Sequence, residues 1–204
     1  MLNIAFTLLG GLLIYAGYLV WQQKNGLWAN QPGALSLWFC AFALVTNAPL
    51  AKTVFEPELA SMGMNLTVFV GLPMMALVLI DFTKQWQWQL ATWGRIFLGL
   101  AAMFELLRRA ESGNNYAQFI FCACAISIAY TFLKSKHLNT EKSPTFNESK
   151  LMLGIALILM AASFLSFDTS HALAWNALAL ISLSRYLYLA ASKMALCSPS
   201  KLPK

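Results

Sequence analysis

Apolar residues run through this chain in long blocks broken by short polar stretches. A block of about 20 residues is the length at which an α-helix crosses a hydrocarbon core of about 30 Å. Seven blocks can be read: about Asn3 to Trp21, Ala34 to Thr53, Leu59 to Ile80, Gln89 to Glu111, Asn115 to Leu133, Leu151 to Phe167 and His171 to Ser192. The breaks hold the lysines, prolines and several tryptophans, among them Lys24, Trp28 and Pro32, then Phe55-Glu56-Pro57-Glu58, then Lys84, Trp86 and Trp88. The longest break, Lys134 to Lys150, reads as a solvated loop, and Asp168-Thr169-Ser170 as a tight turn. The pattern predicts an all-α polytopic membrane protein with seven transmembrane helices. They form one domain over residues 1–193, followed by a short cytoplasmic tail, 194–204.

Within the blocks, single residues modify the helices. The first block has no basic stretch ahead of it and no small-residue cleavage pattern, so it is a retained helix. Its Gly10, Gly11 and Gly17 thin the surface for close packing. Pro49 is expected to bend or end the second helix, and Pro73 to free a backbone carbonyl in the third. Asn47, Asn65 and Asn176 are expected to hydrogen-bond between helices.

The fourth block departs from the rest. QLATWGRIFLGLAAMFELLRRAE carries Arg95, Glu105, Arg108 and Arg109, and its uninterrupted apolar run, Ile96 to Phe104, is too short to span a bilayer. At about 100° per residue these four charges fall within an arc of roughly 140°. The expectation is that the other helices pack around this one and turn its charges away from the acyl chains.

Composition agrees with the pattern. The chain is 59% hydrophobic and 11% charged, with mean hydropathy +0.61; soluble domains carry about 25% charged residues. A net charge of +6 raises nucleic acid as a partner, but the basic residues flank apolar blocks and do not interleave with aromatics. Lys24, Lys84, Arg95, Lys134, Lys136, Lys142, Lys150, Lys193, Lys201 and Lys204 fall on one side of the threading, against Lys52, Arg108 and Arg109 on the other. That bias sets the lysine-rich side in the cytoplasm, with the N-terminus extracytoplasmic and the C-terminus cytoplasmic. The short loops fit a bacterial inner membrane. Of the four cysteines, Cys40, Cys122 and Cys124 lie in spans and Cys197 in the tail. Cys122 and Cys124 point about 200° apart on one helix, so the set reads as small hydrophobes and not as a disulfide framework.

Candidate chemistry is confined to the charges. Glu105 precedes Arg108 and Arg109 by three and four residues, a spacing that permits pairing on one helix. One reading has Glu105 neutralising an arginine while both arginines reach for headgroups. The other has Arg95, Glu105, Arg108 and Arg109, with Arg185, lining a site for phosphate, carboxylate or a proton. Arg185, beside Tyr186 and Tyr188, reads as an interface anchor, with Asp81 as its alternative partner. Two histidines, His137 and His171, lack companions at ligand spacing, so no metal or haem is expected. Phosphate-cradling, zinc-protease and serine-elbow motifs are missing, and no lysine lies in the last span for a Schiff base. The function expected is an accessory or scaffold component of a cell-envelope or cell-division system, without a cofactor, acting on other membrane proteins through helix and loop contacts. The alternative is a small transporter or lipid-handling protein that binds an anionic lipid or small anion on the fourth helix.

Overall fold

The computed structural model describes residues 2–23, 30–48, 57–84, 86, 88–109, 113–134, 144–165 and 171–197. Within them the chain forms seven helices and no strand: α1 (Leu2–Gln22), α2 (Asn30–Asn47), α3 (Pro57–Lys84), α4 (Leu90–Arg109), α5 (Gly113–Lys134), α6 (Pro144–Leu165) and α7 (His171–Cys197). Three stretches are long and apolar enough to cross a membrane, Ile4–Gln22, Pro57–Lys84 and Tyr116–Lys134, and Lys150–Leu165 is a shorter apolar one. The helices alternate in direction. Gln23 donates to the Tyr188 carbonyl and Thr83 reaches Thr131 at one end, while Asn47 donates to Ala60 and Ser163 to Ala172 at the other.

Prolines set several helix limits. α3 opens on Pro57 and α6 on Pro144, where a fixed φ and a missing N–H suit the first helical position. The second of these starts lies inside the segment expected to be a loop, so residues 144–150 are the opening of a helix. α2 ends at Asn47 and not at Thr53, because the residue before Pro49 is pushed out of the helical region. Residues 49–53 lie outside the described residues. α3 continues past Ile80 to Lys84, and α7 continues past Ser192 to Cys197.

Pro73 widens its helix. It offers no N–H to the Phe69 carbonyl four residues back, and just upstream, over Thr67–Gly71, the chain winds as a π turn. The Leu72 N–H there bonds to the Thr67 carbonyl, five residues behind it. All five residues of this turn are buried.

That turn lies in the most enclosed of the three long apolar helices. Between Thr67 and Phe82 only Leu77 and Ile80 are less than buried, and α2, α4 and α5 all pack against α3. Apolar area drives little of this in a bilayer, since the acyl chains are as apolar as the side chains. Close approach and hydrogen bonds must do it instead, and small residues allow both. Gly63, Thr67 and Gly71, four residues apart, line the face of α3 that meets α2. The Thr67 hydroxyl lies 3.1 Å from the Phe39 carbonyl of α2 and 3.0 Å from that of Gly63. Asn47 adds a bond of 3.1 Å from α2 to the Ala60 carbonyl.

Two hairpins flank this centre. α1 lies on α2 through Gly10, against Val45, and Gly17, covered by the Trp38 indole. Gly11 faces open space. α6 pairs with α7, which also touches α1 and α2.

The expectation that the bundle packs around the fourth helix is therefore corrected: α3 is the enclosed helix, with α2, α4 and α5 packed on it, and α4 is on the rim. The reason is geometric. A helix with charges across a wide arc can bury only the remaining face, whereas α3 has no ionisable residue from Leu59 to Ile80 and can be covered all round.

Candidate functional site: the charged helix

α4 is attached by one aromatic face. Trp93, Ile96, Phe97, Leu100 and Phe104 recur at helical spacing and turn inward, with Trp93 buried. Phe97 stacks on Phe39 with ring centroids 6.2 Å apart, and Phe104 lies 4.6 Å from Phe69. Phe69, inside the π turn, also stacks on Tyr116 of α5 at 5.5 Å. Trp86, Trp88 and Trp93 continue as a ladder at 5.1 and 5.3 Å. These separations are those at which aromatic pairs attract.

The opposite face is bare. Leu98 is 67% exposed and Leu106 65%, Met103 is exposed too, and among the described residues Gly94 and Gly99 have nothing within 4 Å of where a Cβ would sit. Arg95 and Arg109 share this exposed side.

Of the five candidate residues, the structure brings two together. Arg109 Nε donates to Glu105 Oε1 at 2.9 Å, as the four-residue spacing predicts, and the pair is open to the surroundings. The side chain of Arg108 lies outside the described residues. Arg95 stands ten residues before Glu105, about 15 Å along the helix axis at 1.5 Å per residue. Arg185 belongs to α7, which packs chiefly on α6, α1 and α2, while α4 packs chiefly on α3 and α5. Its guanidinium lies 5.8 Å from the Tyr188 ring, in keeping with an anchor. Asp81, the alternative partner, is buried and accepts from the Trp88 backbone N–H at 3.5 Å. The five residues thus occupy opposite ends and different flanks of the bundle.

Where α3, α5, α6 and α7 meet, Met75, Leu79, Cys124, Ile128, Met160 and Leu183 line an apolar recess of about 10 Å³, about the smallest space that admits a water. Among the described residues no cluster of histidine, cysteine or carboxylate could hold a metal.

Three features escaped the sequence reading. Asn176 is fully buried with neither amide atom paired among the described residues, so it is not the interhelical bond expected of it. The threonine at position 67 performs that role, signalled by its place between two glycines at four-residue steps. The Trp93 indole N–H is also buried without a partner among the described residues.

No protein-family model, curated protein or solved structure matches this chain.

Proposed function

We propose that this chain is a bacterial inner-membrane protein of seven crossings, N-terminus outside and C-terminus in the cytoplasm, that serves as a scaffold or accessory component of an envelope-assembly or cell-division system. The observation that carries this reading is the bare face of α4. Leu98, Met103 and Leu106 alternate there with open glycines and with Arg95. Facing acyl chains, such a surface leaves an arginine poorly solvated. Covered by a helix of another membrane protein, it gains close backbone contact at Gly94 and Gly99 and an electrostatic partner for Arg95. The occupant that fits is a transmembrane helix carrying a carboxylate near its cytoplasmic end.

Affinity purification from cross-linked membranes tests this. Filling the face with Gly99→Leu or Leu98→Trp should remove the bound partner while the chain itself remains in the membrane. Ile126→Trp, on the exposed side of α5, should leave the partner in place. Partner recovery unchanged by both α4 substitutions would refute the reading.

The alternative, an anion-handling protein, requires the arginines to act on one ligand. Arg95 and Arg109 are separated by about 21 Å of helix. Phosphate or carboxylate binding that disappears in Arg109→Ala would favour it.

A further inference from the structure

α3 and α5 both end on a lysine, and both lysines converge on one ring. The Lys84 Nζ lies 5.6 Å from the centroid of Tyr130, and the Lys134 Nζ lies 5.9 Å from the same point. Each is within the range of cation–π attraction, but the arrangement also places two like charges no more than about 12 Å apart. Neither ammonium is paired with a carboxylate among the described residues. Packed helices, not loops, hold the lysines there. Directly below them the Thr83 hydroxyl of α3 reaches the Thr131 hydroxyl of α5 at 3.4 Å, and Thr131 is fully buried.

Depth points to the ligand. The two lysines are the last residues of two helices long and apolar enough to cross a membrane, so their ammonium groups stand where headgroups begin. Trp86, half exposed and stacked on Trp88, lies two residues beyond Lys84, in keeping with an interfacial belt. Tyr130 is itself open to the outside and adds a phenol hydroxyl. Two cations and one neutral donor, fixed on two helices at this level, match the two free oxygens of a phosphodiester.

We propose that Lys84, Lys134 and Tyr130 form a binding site for the phosphate of an anionic phospholipid headgroup. The site shares no residue with the bare face of α4. It rests only on the membrane placement of α3 and α5 and can fail without that face failing.

The test uses the full-length chain in nanodiscs of phosphatidylcholine with or without phosphatidylglycerol, with retained lipid counted by native mass spectrometry. Wild type should retain phosphatidylglycerol in preference to phosphatidylcholine. Lys84→Gln and Lys134→Gln should each weaken that retention about fivefold, and the double variant about 25-fold, the effect of one basic residue at an anionic surface taken once and twice. Lys201→Gln combined with Lys204→Gln removes the same charge from the C-terminal stretch and should leave retention unchanged. Should the double variant not fold, the two single variants carry the comparison. An equal loss from the C-terminal pair would reduce the site to general surface charge and overturn it. Absence of a preference would overturn it as well. Displacement of the lipid by inorganic phosphate would assign the site to a free anion and overturn the lipid assignment.

Discussion

Gly63 of α3 lies directly against Ala43 of α2: a Cβ added to the glycine would sit 3.0 Å from the Ala43 Cα and equally close to the Thr46 hydroxyl. Backbone atoms cannot yield as a flexible side chain can, so one helix would have to move. Gly63→Ala should lower unfolding stability by about 1–3 kcal/mol, the usual cost of overpacking. Gly94→Ala, on the bare face of α4, meets nothing and should be neutral, or stabilising by up to about 1 kcal/mol from helix propensity. Thermal or denaturant unfolding in detergent distinguishes the two. Equal effects would contradict the crossing described.

Thr67 belongs to the same contact. Replacing it with valine keeps the shape and removes the bond to the Phe39 carbonyl. A loss of about 0.6 kcal/mol is expected, the average for interhelical hydrogen bonds in membranes. An unchanged midpoint would mean that the hydroxyl serves only its own helix, through Gly63.

Asn176 should behave in the opposite way. Its amide is fully buried and unpaired among the described residues, so it bears a desolvation cost without a return bond. Asn176→Leu, which keeps the branched outline of the side chain and removes its polar atoms, should raise stability by about 1–3 kcal/mol. A fall in stability would show that the amide has a partner in the membrane.

The pair Glu105–Arg109 should matter little to folding. Both groups are open to the surroundings, and exposed pairs at this spacing contribute about 0.3–0.5 kcal/mol in water. Glu105→Gln should therefore shift unfolding by no more than that, and should leave partner recovery intact. A large loss of either would point to a buried or catalytic role for the carboxylate.

How far the sequence revealed this arrangement depends on what hydrophobicity reports. In a soluble domain an apolar stripe marks the buried face. In a lipid-soluble chain it marks only depth, because lipid and protein are equally acceptable neighbours. The helices were accordingly visible, and Pro57 stands at a helix limit where a proline is tolerated. The centre of the bundle was not visible in the same way. α1 and α3 are both long and apolar, yet α1 leaves most of its surface bare while α3 is covered. The distinguishing signal was steric: small residues at 63, 67 and 71 on one face of α3. The charges of α4 suggested a centre because a buried charge attracts attention, but a charged arc is the face a helix can least bury. Only the contact of Glu105 with Arg109 follows from local spacing, and the separation of Arg95 and Arg185 from it is a matter of tertiary packing that no local pattern encodes.

The account depends most on α4 passing from one side of the membrane to the other at the rim of the bundle. Single cysteines at Trp86 and Ser112, in a background with the four native cysteines replaced by alanine, flank that helix and can be labelled with a membrane-impermeant maleimide in intact and opened cells. The proposed threading predicts that Ser112→Cys reacts in intact cells and that Trp86→Cys reacts only once the membrane is opened. Labelling of both from the same side would contradict it.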